Sequence, residues 1–410
     1  MLGDSGFGPP RRRRGSGNVL THIIMAVLGA ALAAGLLLSF YNQGAGSLPG
    51  GGAVPAPASP ASPLSGGQQA IAAKVQPGLV IIDTTLQYQS EVAAGTGMVI
   101  NADGLVLTNN HVIDGSTRIS ATVVSTGKTY PATVVGYDQT GDVALIQLQD
   151  ASGLTTVPIG NSSAVKVGNA VVALGNAEGQ DSITATAGQV TGLDQTITAS
   201  EEGGSTASET LYGMIQINAD VVPGDSGGPL ASSAGVIGMD TAGNDASSQQ
   251  AAAGFAIPVN TALSVARQIA GGHASSVIAI GYPPFMGIFT GSGSSSNPQA
   301  QAQQEEQNGG LGSSQACYAS NADVTVPSAI APVSSGTLIL GTICGSPAAS
   351  AGMTGGAVIT AVNGQAVGSP DDLSGILARF HPGDTISVAW VSPSGQRTTS
   401  SLHLAAGPPR

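Results

Sequence analysis

From Gln76 onward the chain alternates short apolar runs with Gly-, Asp- and Asn-rich breaks, the pattern of β-strands joined by tight turns. A first set of strands is predicted over 79–84, 94–100, 105–108, 119–124, 132–137 and 143–148, with Asp103-Gly104 as a hairpin turn. A second set follows over 170–174, 183–190, 213–218, 236–239 and 255–257. Helical spacing appears only afterwards, where Asn260 can cap a helix lined by Leu263, Ala266, Ile269 and Ala270 and ended by Gly271-Gly272. Closely spaced strands with few helices predict a mostly β fold of barrels or sandwiches.

The last third reads differently. Strands over 337–343, 358–362, 385–391 and 399–404 enclose a short helix from Ser346-Pro347 and a longer one capped by Ser369. Pro370 opens that longer helix, and Leu373, Ile376, Leu377 and Phe380 form its apolar face, so a small α+β unit is expected. Residues 41–69 carry Pro, Gly and Ser without apolar periodicity and read as a semi-extended tether. Residues 291–335, rich in Ser, Gly, Gln, Asn and Ala, read for the most part as a flexible polar insertion.

The N-terminus adds a location. Arg11, Arg12, Arg13 and Arg14 precede an uncharged apolar stretch over 19–40, about 33 Å long as a helix and a match for a hydrocarbon core of about 30 Å. A cleaved secretory signal has a shorter apolar core of about 7–15 residues, so an uncleaved signal anchor is the better reading. The arginines then stay cytoplasmic, and everything after residue 40 lies outside the cell membrane. The expected organisation is a basic tail over 1–18, an anchor over 19–40, a linker over 41–69, a strand-rich domain over 70–272 and an α+β domain over 281–405.

Charge excludes one class of partner. Without the four arginines and Asp4 the chain keeps 8 basic against 23 acidic residues, so no basic stripe exists to neutralise the phosphates of nucleic acid. Both cysteines, Cys317 and Cys344, fall in the exported part, where a disulfide is permitted and two buried thiols are the alternative.

The run Gly224-Asp225-Ser226-Gly227-Gly228-Pro229 concentrates what a serine nucleophile needs. Its glycines permit unusual backbone angles, and the amides of Gly224 and Ser226 are placed to bind an oxyanion. A base must accompany it. Of five histidines, His111 alone follows a strand within the strand-rich region, while His22 sits in the apolar stretch and His273, His381 and His403 come later. Asp142, at the head of the apolar strand 143–148, is expected to be partly buried and to need a donor that an imidazole supplies. Asp138 is the competing acid, read as a solvated turn residue.

The order His111, Asp142, Ser226 resembles the trypsin-like double β-barrel proteases. Gly95-Thr96-Gly97-Met98-Val99-Ile100, Leu107-Thr108-Asn109-Asn110-His111-Val112-Ile113, Asp142-Val143-Ala144-Leu145 and Pro223-Gly224-Asp225-Ser226-Gly227-Gly228-Pro229-Leu230 together resemble the HtrA (Deg) family, especially its membrane-anchored actinobacterial members. The resemblance covers about 76–405 and implies a C-terminal PDZ domain, with Phe285, Met286, Gly287 and Ile288 as its carboxylate-binding loop and the helix from Pro370 as a groove wall. It implies His111 as base then acid, Asp142 as its orienting partner and Ser226 as nucleophile, with no metal and no organic cofactor. Unfolded or C-terminal peptide segments of exported proteins are the implied partners. Envelope quality control is the implied role, and a homo-oligomer is expected because trimers are common in the family.

Three features depart from the family pattern. Asp225 stands where the family usually has Asn, and either pairs with an unidentified group or stays solvated. Asp220 lies six residues before Ser226, where a basic P1 residue would be read, although a solvent-facing loop aspartate is the favoured reading. The insertion over 291–335 covers or extends the peptide groove, and Cys317 can tie it to Cys344. Two other classes compete. An α/β-hydrolase would use Ser226 with Asp371 and His381 or His403, but the alternating long helices it needs are not legible. A membrane-tethered PDZ adaptor or holdase with a resting protease domain is the stronger rival.

Overall fold

The structure is a computed structural model that describes residues 64–89, 91–200, 208–241, 254–291, 293–307, 317–320 and 324–409. The basic tail, the apolar stretch 19–40 and the tether up to residue 63 lie outside the described residues. Among the described residues no helix is long and apolar enough to cross a membrane.

Helix α1 (Gly66–Val75) opens the described chain within the segment read as tether. Ser65 and Gln68 form a reciprocal capping box at its start, and Ala72 and Val75 are buried. Six strands follow: β1 (Leu79–Leu86), β2 (Glu91–Asn101), β3 (Leu105–Thr108), β4 (Arg118–Val123), β5 (Lys128–Asp138) and β6 (Val143–Leu148), with the one-turn helix α2 (Asn110–Ile113) after β3. They pair in the order β5-β4-β1-β2-β3-β6, and β6 pairs again with β5, so the ring closes. Val80, Ile82, Val99, Val106 and Ile146 fill it.

The second barrel is closed in the order β10-β11-β12-β9-β8-β7. Its strands are β7 (Ala170–Gly175), β8 (Thr184–Ser200), β9 (Ser208–Ile217), β10 (Pro229–Ser232), β11 (Gly235–Thr241) and β12 (Gly254–Pro258). Val171, Ala173, Ile217, Leu230 and Ala256 line its interior. A further cluster that includes Leu79, Met98, Leu145, Leu174, Met239 and Ile257 takes residues from both barrels and from helix α3 (Val259–Ala270). Helix α3 begins one residue before Asn260, and Asn260 does not cap it. Its amide donates instead to Asn161 Oδ1 (2.8 Å) and Ser163 Oγ (3.1 Å).

After β13 (Ile278–Ile280), which pairs with β5, the chain enters the α+β unit. Its elements are β14 (Pro284–Phe285), β15 (Ile288–Phe289), α4 (Pro298–Gln307), β16 (Thr337–Leu338), β17 (Gly341–Thr342), α5 (Pro347–Ser350), β18 (Val358–Val362), β19 (Gln365–Ala366), α6 (Pro370–Leu377), β20 (Thr385–Val391), β21 (Arg397–His403) and β22 (Ala405–Ala406). Met286, Ile359, Val388, Trp390, Leu373 and Ile376 share its core.

The insertion is more ordered than its composition suggests. Gln301 on α4 is 2% exposed: its Nε2 donates to Ser295 O (2.7 Å) and Gly336 O (2.8 Å), while its Oε1 accepts from Leu338 N (2.8 Å). A buried amide that satisfies three backbone groups docks a polar helix where apolar periodicity is lacking. Ala302, Val326 and Ala331 complete a small cluster with Leu338, Val358 and Val391.

Candidate active site

Helix α2 owes its position to Val112 and Ile113, buried in the first barrel, which leave His111 between them and the cleft with its side chain 30% exposed. Asp142 precedes β6 with φ +49°, a left-handed conformation that Asp tolerates better than most residues. Its backbone carbonyl accepts from Asn109 Nδ2 (2.9 Å). Its carboxylate, 3.0 Å from His111 Nδ1 through either oxygen, also accepts the His111 backbone N–H (3.0 Å) and the Thr241 hydroxyl (3.0 Å). An acceptor-only carboxylate places the proton on Nδ1 and leaves Nε2 with its lone pair. With three donor groups around it, a carboxylate that is 1% exposed is compensated.

Asp138, the competing acid, does not reach His111 by any of these bonds. It is 6% exposed and not solvated, and it accepts from Thr140 Oγ1 (2.9 Å) and Gly141 N (3.0 Å), which closes the turn leading to Asp142.

Ser226 is 4% exposed on a turn that distant parts of the chain hold in place. Asp225 N donates to Val222 O (3.0 Å), and Gly228 N donates to Asp225 O (2.9 Å). From the first barrel, Thr96 N donates to Ser226 O (2.9 Å), and the Thr96 hydroxyl donates to Gly224 O (2.8 Å) while accepting from Asn176 N (2.9 Å). Gly224 (φ +94°) and Gly227 (φ +82°) have backbones that disfavour side chains. A Cβ at 224 would overlap the Asn176 carbonyl, and one at 227 the Thr96 carbonyl. The Pro223 carbonyl accepts from Glu178 N (2.7 Å), so the planar trans peptide turns the Gly224 N–H to the opposite side.

Sequence reasoning assigned no role to Thr96, Thr241, Asn176, Glu178 or Asp240. Thr96 carried a signal, since a hydroxyl between two glycines marks a place where another backbone comes close. A Cβ at Gly95 would crowd Val112, and one at Gly97 would crowd Val106.

Asp225 is neither solvated nor paired with a cation. At 5% exposure its Oδ2 accepts from Val222 N (3.0 Å) and its Oδ1 has no partner. Burial pushes its carboxyl up to about 6, against the Val222 hydrogen bond and with help from the charge of Asp220, which is itself exposed. Asp240 is wholly buried, and burial followed by the charge of Asp225 raises it well above the ordinary carboxylate range.

In the α+β unit the Met286 carbonyl accepts from Ala348 N (2.9 Å), and the Gly287 carbonyl accepts from Ile343 N (2.9 Å) and Ser346 Oγ (3.1 Å). Peptide planarity turns the N–H groups of Gly287 and Ile288 the other way, together, as an anion-binding nest requires. Met286 is buried, and Phe285 stacks on Tyr88 with ring centroids 5.7 Å apart. Among the described residues β15 pairs only with β17. Cys317 and Cys344 are bonded, and Tyr318 pairs with Ile343 through Thr342 O and Cys344 N. Among the described residues the insertion therefore meets this segment at Tyr318, on the edge away from β15, and none of them pairs with the free edge of β15.

Two barrels whose cleft holds a histidine–carboxylate pair beside a glycine-rich serine turn, followed by a PDZ unit, define a trypsin-like serine endopeptidase. Residues 95–239 match the trypsin-like peptidase domain family and 343–390 match the PDZ domain family. The serine protease PepD of Mycobacterium tuberculosis is 32% identical over 410 residues, covering 95% of this chain and 76% of its own. The Do-like serine protease HtrA of Lactococcus lactis is 30% identical over 329 residues, 78% of this chain and 72% of its own. Among solved structures, the HtrA-type protease AlgW with decapeptide aligns at a TM-score of 0.43 and 22% identity, covering 84% of this chain and 99% of that one. The chain belongs to the HtrA family of serine proteases.

Proposed function

We propose that this HtrA-type protease cleaves misfolded or specific exported proteins outside the cell membrane, to which the stretch 19–40 anchors it, as part of envelope quality control. The observation that carries the mechanism is the bond between His111 Nδ1 and the buried Asp142 carboxylate, with Thr241 as second donor. His111 Nε2 takes the proton of the Ser226 hydroxyl as its oxygen attacks the scissile carbonyl, and Asp142 stabilises the resulting imidazolium. The amides of Gly224 and Ser226 hold the negative oxygen. Collapse of that intermediate breaks the C–N bond, with the imidazolium proton leaving on the amine. Water then repeats the sequence on the ester and frees Ser226.

The PDZ unit supplies substrate or activating peptide. The N–H groups of Gly287 and Ile288 receive a terminal carboxylate, the β15 edge accepts the extended chain as an added strand, and helix α6 walls the groove. The anchor reading rests on the length of the apolar stretch and on the four arginines before it.

A fluorophosphonate probe tests the reading. Labelling of the wild type that disappears in Ser226→Ala is expected. Folded protein that stays unlabelled, with or without a PDZ-binding peptide, would favour the tethered adaptor instead.

A further inference from the structure

The barrel that carries Ser226 encloses two carboxyl groups that acyl transfer does not use. Asp240 faces Ala256 across the β11–β12 pairing and lies on the face of β11 where Gly238 sits opposite Leu230. Ala256 and Leu230 belong to the interior cluster, so the Asp240 side chain points into the barrel. It is 0% exposed and neither of its oxygens has a hydrogen-bond partner. The turn that carries Asp225 is bonded to the Asp240 backbone through Gly227 N and Gly228 O, and the Oδ1 of Asp225, beside Gly175, has no partner either.

A proton count explains these orphans. Two ionised carboxylates only accept, so three buried oxygens would lack donors while two like charges shared an apolar interior. A single proton gives one group a donor and the other a bond to accept, and it removes the repulsion. Among the described residues no cation offers an alternative. Asp220 in the preceding turn adds negative charge, and Glu178 after β7, Lys74 on α1 and Arg267 on α3 are exposed. Strands β7, β10 and β12 carry no charged residue, and Asp142 of the His111–Asp142 pair meets β11 at Thr241.

We propose that Asp225 and Asp240 hold one proton between them and that this carboxyl–carboxylate pair clamps the turn bearing Ser226. Both are positioning residues. The backbone of Asp225 closes the turn, and that of Asp240 borders it, accepting from Gly227 N (2.9 Å) and donating to Gly228 O (2.7 Å). Removing the proton puts a second negative charge behind the nucleophile and drives the two segments apart. The pair keeps its proton at low pH and loses it as pH rises, so the clamp sets an alkaline limit to activity, separate from the acidic limit set by protonating the imidazole.

The test rests on the peptidase reading for one of its two readouts. Full-length wild type, Asp225→Asn and Asp240→Asn are compared by the pH profile of kcat/KM on a peptide substrate, each normalised to its own plateau, and by the infrared band of protonated carboxyl groups. Asn keeps the size and offers an N–H donor without charge. Wild-type kcat/KM is expected to fall about tenfold per pH unit above the ionisation of the pair, in step with loss of the infrared band. In both variants the band at neutral pH is expected to be missing and the alkaline fall to move at least about one unit higher. Coinciding profiles, or a wild type without the band at neutral pH, would overturn the proposal. An inactive wild type that shows the band leaves the shared proton standing and removes the peptidase reading instead.

Discussion

Thr96→Val removes one hydroxyl and almost no volume from the place where the first barrel grips the serine turn. Thr96 is wholly buried, and its hydroxyl serves Gly224 O and Asn176 N. Valine leaves a buried carbonyl and a buried N–H without partners, at about 1–3 kcal/mol each. If the backbone stays in place the protease domain loses about 2–6 kcal/mol of stability. If it moves to find new partners, the Gly224 amide leaves its position and kcat falls about 10²–10³-fold, as on deleting one oxyanion donor. Urea unfolding together with kcat and KM on a peptide substrate reads both routes. Thr96→Ser, which keeps the hydroxyl, should recover most of the loss. A valine variant within about twofold of wild-type kcat and about 0.5 kcal/mol of wild-type stability would refute this account of the turn.

Asp142→Asn keeps the shape of the acid but allows His111 the wrong tautomer, so kcat should fall about 10⁴-fold with little change in KM, measured by steady-state kinetics. Reducing the Cys317–Cys344 bond, which spans 27 residues, should cost about 3.5 kcal/mol by loop entropy. The loss should appear in the emission of Trp390, which is buried in the PDZ core, while fluorophosphonate labelling of the protease domain is unchanged.

What was legible in the sequence follows burial on one face. Strands β3 and β6 were readable because turn residues, Asp103-Gly104 and Gly141-Asp142, stand beside short apolar runs. Strand β8 runs to Ser200, ten residues past the expected end at Val190, because an exposed ribbon paired with β9 alternates polar residues and has little buried face to mark it. The first turn of helix α1 was read as tether although Ser65 and Gln68 spelled its capping box, since glycine and glutamine mask weak periodicity. In the same way Gln301 looked like part of a polar linker, and only a docked backbone gives it work. Within the site, His111, Asp142 and Ser226 were readable because their motifs are local. Asp240 was not, because its isolation arises only when the second barrel closes around it.

The bonds that steady the serine turn come from residues 96, 176, 178 and 240, so its neighbours span nearly 150 positions and the last of them is made after the serine itself. A chain still being synthesised has the whole catalytic vocabulary up to Ser226 and no means of arranging it. The protease therefore stays disarmed until it has folded, and becomes competent only when both barrels have closed.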